Sequence, residues 1–252
     1  SRKNTAPCIA YISYKLLQKN PNANLICAPA DHLITDQESF MKICQDALHF
    51  TSHIKALLTL GIKPTNPNTG YGYIQYEPYA VSENIFKVKT FTEKPDKELA
   101  KTFIASGDFL WNAGIFVWEV KNIVKAFEKL LPEMHEVFDA EKASFNTDKE
   151  DEAIERIYPQ CVNISIDYGV MEKADNVYVM PSSFGWSDLG TWASAYETLD
   201  KDYLDNAVAG DQVMIIDSTK NMVHADNKKL IVLQGMEDFV IVDTKDVLLI
   251  CK

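Results

Sequence analysis

Arginine, glycine-rich segments and long apolar runs are scarce in this chain of 252 residues. Arginine occurs only as Arg2 and Arg156, and the formal net charge is −11, which argues against the clustered cations of a nucleic-acid surface. No apolar run approaches the roughly 20 residues of a membrane-spanning helix. The N-terminus also lacks the apolar stretch of a signal peptide. We therefore expect a cytoplasmic protein that contacts neither nucleic acid nor a membrane.

Cysteine is present but shows no pattern. Its five copies are odd in number, widely spaced and set in apolar sequence, so neither a disulfide framework nor a zinc site is indicated. The composition, with 46% hydrophobic and 24% charged residues, is that of a globular protein with a substantial core. We expect reduced core thiols at Cys8, Cys27, Cys44, Cys161 and Cys251.

Hydrophobic periodicity divides the chain near Tyr203. Before that point apolar strands alternate with amphipathic helices, which predicts a layered α/β domain, residues 1–203, with a mostly parallel sheet. Residues 204–252 instead carry short β-rich runs separated by polar turns, which predict a small β-rich appendage that is either a meander or a short solenoid. The predicted strands of the first domain are 25–28, 56–62, 88–91, 111–118 and 177–180, and its predicted helices are 5–17, capped by Thr5, 37–50, 97–105, 120–131, 152–157 and 192–199.

Two acids follow predicted strands in unusual loops. Asp31 ends the segment Pro29-Ala30-Asp31, and Asp188 lies between Gly185 and Gly190. Each alone is more often a turn or helix-capping residue. Together, however, two carboxylates suit Mg²⁺ bound alongside phosphate oxygens and water, because this ion prefers oxygen ligands and keeps much of its hydration.

Three further loops mix charge, amide and glycine. Glu93-Lys94-Pro95 is either a surface ion pair or a site where Lys94 neutralises a phosphate while Glu93 accepts hydrogen bonds from a polyol. Asn112 and Gly114 form either an ordinary bulge or a contact for a sugar ring. In residues 69–74, Gly70 and Gly72 serve either a tight turn or the close approach of backbone N–H groups to a ligand.

Taken together, these motifs resemble the sugar-nucleotide pyrophosphorylases, and within them the bacterial mannose-1-phosphate guanylyltransferases. The resemblance covers essentially the whole chain, including the β-rich tail. It is carried by motifs that occur in the family's order, namely Pro29-Ala30-Asp31-His32, Pro67 to Ile74, Phe91-Thr92-Glu93-Lys94-Pro95, Trp111 to Phe116, Ser165 to Glu172, and Gly185 to Gly190.

The resemblance implies a fold, a reaction and a set of residue roles. The fold is a Rossmann-like nucleotidyltransferase three-layer sandwich, and the reaction forms GDP-mannose and pyrophosphate from GTP and mannose 1-phosphate by in-line attack on the α-phosphorus. By motif, Asp31 and Asp188 resemble the Mg²⁺ ligands, and Asp31 and Lys94 the catalytic pair. The sugar contacts implied are Gly72, Glu93, Lys94, Asn112, Gly114 and Asp167, and the nucleotide contacts are Asn4 and Thr5.

One family motif is missing. The family's triphosphate-binding loop has the form Gly-Gly-x-Gly-x-Arg-x-x-Pro, whereas the first glycine here is Gly61. We therefore expect a fragment that keeps the sugar and metal half and does not turn over. Three alternatives stay open: a non-catalytic relative that binds sugar nucleotides or a partner subunit, a pyrophosphorylase for another sugar 1-phosphate, and a metal-dependent glycosyltransferase. The last predicts that the metal is held by a closely spaced Asp-x-Asp motif. The β-rich tail, with its unpaired edges, is a candidate homodimer surface.

Overall fold

The computed structural model describes residues 3–226 and 229–252 and divides the chain into two compact units. The first unit runs to Ala30 and continues over Ile34–Trp186, and the second comprises Asp31–Leu33 and the chain from Ser187 onward. Within the described residues, none of the helices is both long enough and apolar enough to cross a membrane.

The first unit is built from helices around one mixed sheet. Its helices are α1 (Thr5–Lys19), α2 (Gln37–His53), α3 (Lys97–Ser106), α4 (Val120–Leu130), α5 (Pro132–Ala140) and α6 (Glu150–Ile157), with 3₁₀ turns at Lys142–Ser144 and Tyr158–Gln160 and a π-helical turn at Asp167–Met171. Its strands are β1 (Asn24–Cys27), β3 (Leu57–Ile62), β4 (Gly72–Ser82), β5 (Ile85–Glu93), β6 (Phe109–Glu119) and β7 (Val177–Ser182). Two short strands, β2 (Leu33–Ile34) and β8 (Trp186–Ser187), pair in a separate two-stranded sheet.

The prediction of a mostly parallel sheet was wrong. The strand order is β1-β6-β3-β7-β5-β4, with a further pairing of β6 with β4. Among the described strands of this sheet, only β3 and β7 pair in parallel. The sheet is largely antiparallel because β6 runs opposite to β1, β3 and β4, and because β4 and β5 form a hairpin.

The predicted three-layer sandwich is confirmed by the way β3 alternates. Leu57 packs into a core shared with α1, α4 and α5, whereas Leu58 and Leu60 pack into a second core shared with α2. Successive side chains of a strand point to opposite faces, so one apolar strand supplies both cores. The sheet is thus covered by helices on both faces.

The β-rich segment of the second unit has the strand pairing of a solenoid. After α7 (Trp192–Thr198) come β9 (Ala207–Ala209), β10 (Val213–Ile216), β11 (Met222–Ala225), β12 (Ile231–Gln234), β13 (Val240–Asp243) and β14 (Leu248–Cys251). β11 pairs in parallel with β9 and β13, β10 pairs in parallel with β12, and β14 closes the set antiparallel to β13. A meander would pair consecutive strands antiparallel. The sequence-based boundary near Tyr203 stays a prediction.

Candidate active site

The predicted sugar-side residues meet at one edge of the large sheet. Gly72 opens β4 and pairs with Glu93 at the end of β5, while Asn112, near the start of β6, pairs with Gly61 near the end of β3. β4 and β6 also pair, with Tyr73 opposite Trp111, so Gly72 and Asn112 lie next to each other across these two strands. The structure therefore brings Gly72, Glu93 and Asn112 together.

Glu93 is the most unusual polar group at this edge. Its side chain is only 11% exposed, and Oε1 lies 3.2 Å from Nζ of Lys94, which is 59% exposed. The other oxygen, Oε2, is buried and has no hydrogen-bond partner among the residues that the structure describes. Burial, and next the charge of Asp167, raise the pKa of the Glu93 carboxyl. A buried acceptor of this kind calls for a donor, because an unpaired buried polar atom costs about 1–3 kcal/mol.

Gly72 makes the position of that carboxylate possible. A Cβ on Gly72 would overlap Oε2 of Glu93 and approach Cβ of Asn112 to 3.3 Å. Glycine is therefore required so that the carboxylate can lie directly over the backbone of β4.

Lys94 is held in an uncommon backbone conformation. Its φ is +49°, in the left-handed region, and its N–H donates to the carbonyl of Tyr71 at 3.2 Å. Its ion pair with Glu93 raises the pKa of the ammonium group, which therefore stays charged at neutral pH. This places an exposed cation directly beside a buried acceptor.

Asn112 and Gly114 form a β-bulge, as one of the two sequence interpretations proposed. The β3–β6 register shifts between Thr59 and Gly61, and Gly114 has a φ of +68°. The N–H of Gly114 donates to Oδ1 of Asn112 at 3.1 Å. Bulges re-aim side chains next to functional sites, so the bulge does not argue against a ligand contact.

Asp167 reaches the same cluster from the π-helical turn. Its Oδ1 accepts a hydrogen bond from Nδ2 of Asn112 at 2.9 Å, and burial raises its pKa. The same turn leads to Glu172, whose Oε1 accepts from the N–H of Glu93 at 3.3 Å. Sequence reasoning quoted Glu172 within a motif but gave it no role.

The predicted nucleotide contacts, Asn4 and Thr5, have structural partners. Asn4 rather than Thr5 is the N-cap of α1, so the predicted cap was off by one residue. Its side chain accepts from the N–H of Thr5 at 2.8 Å, and the Thr5 hydroxyl accepts from the N–H of Ile166 at 2.9 Å. The adjacent Arg2 lies outside the described residues. The role of Asn4 and Thr5 in nucleotide binding stays a prediction.

Asp31 and Asp188, the predicted metal ligands, belong to the second unit. Both carboxylates act electrostatically on His32, whose pKa is nevertheless lowered because burial outweighs them. Asp31 is exposed and Asp188 partly buried. Within the described residues no group of three or more His, Cys, Asp or Glu side chains is arranged to hold a metal. Two carboxylates fit Mg²⁺ as a donor set, with the remaining ligands drawn from phosphate and water.

The chain does contain an Asp-x-Asp spacing, at Asp200-Lys201-Asp202. There, Oδ1 of Asp202 accepts hydrogen bonds from the N–H groups of Leu204 at 2.9 Å and Asn206 at 2.8 Å. Asp202 thus closes a turn before the β-rich segment. These hydrogen bonds explain the Asp-x-Asp spacing as part of a turn.

Comparison with known families agrees with this architecture. The Nucleotidyl transferase family matches residues 1–205, and the MannoseP isomerase/GMP-like beta-helix domain matches residues 211–252. Because the first match covers well over half of the sequence, the chain belongs to the nucleotidyl transferase family. The resemblance that the motifs indicated is thereby confirmed.

Individual relatives are similar over the whole chain. A mannose-1-phosphate guanylyltransferase of Salmonella montevideo is 37% identical, with 98% of this chain and 53% of the relative aligned. The alginate biosynthesis protein AlgA of Pseudomonas aeruginosa is 35% identical, with 98% and 51% aligned. A solved structure from Thermus thermophilus, described as a mannose-1-phosphate geranyltransferase, has a TM-score of 0.88 at 28% identity and covers 100% of this chain and 71% of its own. The chain spans about half the length of the curated relatives it matches.

Proposed function

We propose that this chain carries the mannose 1-phosphate site of an enzyme that forms GDP-mannose and pyrophosphate from GTP and mannose 1-phosphate. The observation that carries the proposal is the buried, unpartnered Oε2 of Glu93 beside the exposed ammonium of Lys94. A sugar phosphate supplies both partners that this pair calls for, since its hydroxyls donate hydrogen bonds and its phosphate is an anion. The guanylyltransferase relatives support the same substrate.

In this account each residue at the sheet edge has one task. Lys94 binds the sugar phosphate and neutralises part of its charge, which lets its oxygen approach the nucleotide. Glu93 accepts a hydroxyl hydrogen bond, and the amide of Asn112 donates one. The backbone at Gly72 and Gly114 lies against the sugar, and Asp167 accepts a hydrogen bond from Asn112. Holding both substrates in line removes much of the entropic barrier of a two-substrate reaction.

The proposal also includes a nucleotide side and a metal site. Asp31 and Asp188 would hold Mg²⁺, which when bound neutralises phosphate charge during nucleotidyl transfer. Asn4 and Thr5 would contact the guanine. The expected homodimer and cytoplasmic location belong to this proposal and rest on the sequence alone.

A calorimetric ligand panel tests the substrate. Mannose 1-phosphate, glucose 1-phosphate, mannose and inorganic phosphate are titrated into the chain. We expect mannose 1-phosphate to bind most tightly, with mannose and phosphate each weaker by at least about tenfold, because each contacts only part of the site. Equal affinity for phosphate and mannose 1-phosphate would refute a sugar site, and tighter binding of glucose 1-phosphate would indicate a pyrophosphorylase for another sugar.

The metal site is tested with GDP-mannose. Added Mg²⁺ should tighten GDP-mannose binding to the native chain and should have no effect on Asp188→Ala. Asp211→Ala, which removes an exposed aspartate of the same unit, is the matched control and should respond like the native chain. A Mg²⁺ effect that persists in Asp188→Ala would exclude this carboxylate as a ligand.

A further inference from the structure

The geometry points to Thr59 as a positioning residue that fixes the side-chain amide of Asn112 with its carbonyl oxygen turned inward and its N–H turned toward the sugar. Thr59 is fully buried in β3, and its Oγ1 donates to Oδ1 of Asn112 at 2.9 Å. No motif in the sequence contains it. The inference rests on the proposed function, because it concerns how the sugar site obtains its hydrogen-bond donor.

The contacts around Asn112 agree on one orientation of the amide. Its Oδ1 accepts from the Thr59 hydroxyl and from the N–H of Gly114, and its Nδ2 donates to Asp167. A reversed amide would set Nδ2 against the N–H of Gly114 and Oδ1 against the carboxylate of Asp167. Both contacts would be repulsive, so the second N–H of Nδ2 is the group left to face a ligand.

Thr59 matters because its hydroxyl is one of the two donors to Oδ1 of Asn112 and belongs to the neighbouring strand β3. Its hydroxyl also lies 3.2 Å from the carbonyl oxygen of Ile115 on β6, so its oxygen is held between two acceptors on the bulged strand. The bulge moves Asn112 out of regular register, and the Thr59 hydroxyl ties the displaced side chain back to β3. Without it, the amide loses one of the two donors to Oδ1 and gains freedom to rotate.

The chain offers a closely matched control in Thr51. This residue of α2 is also fully buried, and its Oγ1 also lies within hydrogen-bonding distance of an asparagine oxygen, Oδ1 of Asn24 at 3.2 Å, and of the carbonyl oxygens of Ala47 at 3.0 Å and Leu48 at 3.3 Å. Thr51→Val and Thr59→Val therefore remove the same group from equally buried places. Only Thr59 touches a residue of the sugar site.

The test measures mannose 1-phosphate binding by calorimetry in Thr59→Val, Thr59→Ser and Thr51→Val. We expect Thr59→Val to weaken binding by about five- to tenfold, as for one lost hydrogen bond. Thr59→Ser should restore affinity to within about twofold, and Thr51→Val should bind like the native chain. Native affinity in a folded Thr59→Val, or an equal loss in Thr51→Val, would overturn the inference.

A second measurement separates this inference from the proposed function. In ¹⁵N NMR spectra, the side-chain amide protons of Asn112 should shift or broaden in Thr59→Val and stay unchanged in Thr51→Val, with no ligand present. If the native chain fails to bind mannose 1-phosphate, the proposed function is wrong. Unchanged Asn112 signals in Thr59→Val would show that Thr59 does not position this amide.

Discussion

At the scale of single residues, the site depends on close approach between a glycine and a carboxylate. Gly72 leaves room for the buried side chain of Glu93. The left-handed backbone of Lys94 accompanies an outward-facing lysine side chain. A buried acceptor and an exposed cation thus stand on consecutive residues. In the proposed sugar-phosphate site, this places the acceptor for a hydroxyl next to the cation for the phosphate.

Substitution of Gly72 tests this arrangement. A methyl group in Gly72→Ala has to displace the Glu93 carboxylate, so we expect mannose 1-phosphate affinity to fall by at least about tenfold, a loss of roughly 1.4 kcal/mol of binding free energy. Gly70→Ala is the control, because its Cβ would meet only Oδ1 of Asn68 at 3.2 Å. Calorimetry on both variants measures the difference. Equal affinities would show that the Glu93 position is unimportant.

The sequence singled out residues of this cluster but not the contacts between them. Glu93, Lys94, Asn112 and Gly114 stand out because charge, amide or glycine interrupts an apolar strand. Thr59 does not stand out in the sequence, because a lone threonine in an apolar strand has many uses and its hydrogen-bond partner comes from another strand. Pairing between distant strands is what the sequence alone does not supply.

At the scale of elements, an ion pair between the partly exposed Lys15 and the largely buried Glu150 joins α1 to α6. Glu150, the first residue of α6, accepts from Lys15 and Tyr11 of α1 and from the N–H of Asn146 at 2.7 Å. The Lys15 contact, followed by the Tyr11 hydroxyl, lowers the pKa of Glu150 to about 2. Two sequence-distant helices are thereby connected through one carboxylate.

This network predicts an acid-dependent contribution to stability. Because the folded pKa lies below the ordinary value of 4.5, the contribution is complete above pH 4.5 and disappears as the pH falls through about 2. Glu150→Gln should therefore lower the free energy of unfolding at pH 7 on the order of 1–2 kcal/mol, and the difference from the native chain should shrink below pH 4. Glu141→Gln, at a more exposed pair with Arg156, should cost less. Denaturant unfolding at several pH values measures this, and a pH-independent difference would contradict it.

Buried asparagines hold the β-rich segment together. The side chain of Asn221 donates to Oδ1 of Asn206 and to the carbonyl of Met236, and accepts from the N–H of Phe239, each at 3.0 Å. Asn221→Ala leaves several of these groups buried and unpaired, so we expect a loss of about 2–4 kcal/mol. Thermal unfolding compared with the exposed Asn66→Ala measures the loss. Equal melting temperatures for Asn221→Ala and Asn66→Ala would show that the hydrogen bonds of these buried asparagines contribute little.

The elements themselves were largely predictable, and their pairing was not. Amphipathic helices such as α4 follow directly from apolar spacing. β4 was missed altogether: its first residues, 72–74, were interpreted as part of a loop, and beyond them Pro78 and the irregular register between Tyr76 and Ala80 hide the alternation. The prediction of a mostly parallel sheet was wrong because the alternation of strands and helices does not specify strand direction when two of the strands form a hairpin.

At the scale of the whole molecule, the predicted functions fall in two compact units. The sugar-side residues Gly72, Glu93, Lys94, Asn112, Gly114 and Asp167 lie in the first unit, and Asp31 and Asp188 in the second. Sugar binding should accordingly survive substitutions at the two aspartates, whereas the Mg²⁺ response should not. The two binding measurements therefore test the two units separately.

The most direct test of the central claim is a calorimetric titration of mannose 1-phosphate into the native chain and into Glu93→Gln. The amide keeps the size of the side chain but replaces one acceptor oxygen by a donor, so a hydroxyl that donates to Oε2 loses its partner. We predict saturable binding to one site in the native chain and an affinity at least about tenfold weaker in Glu93→Gln. No binding to the native chain, or equal binding to the variant, would contradict the account.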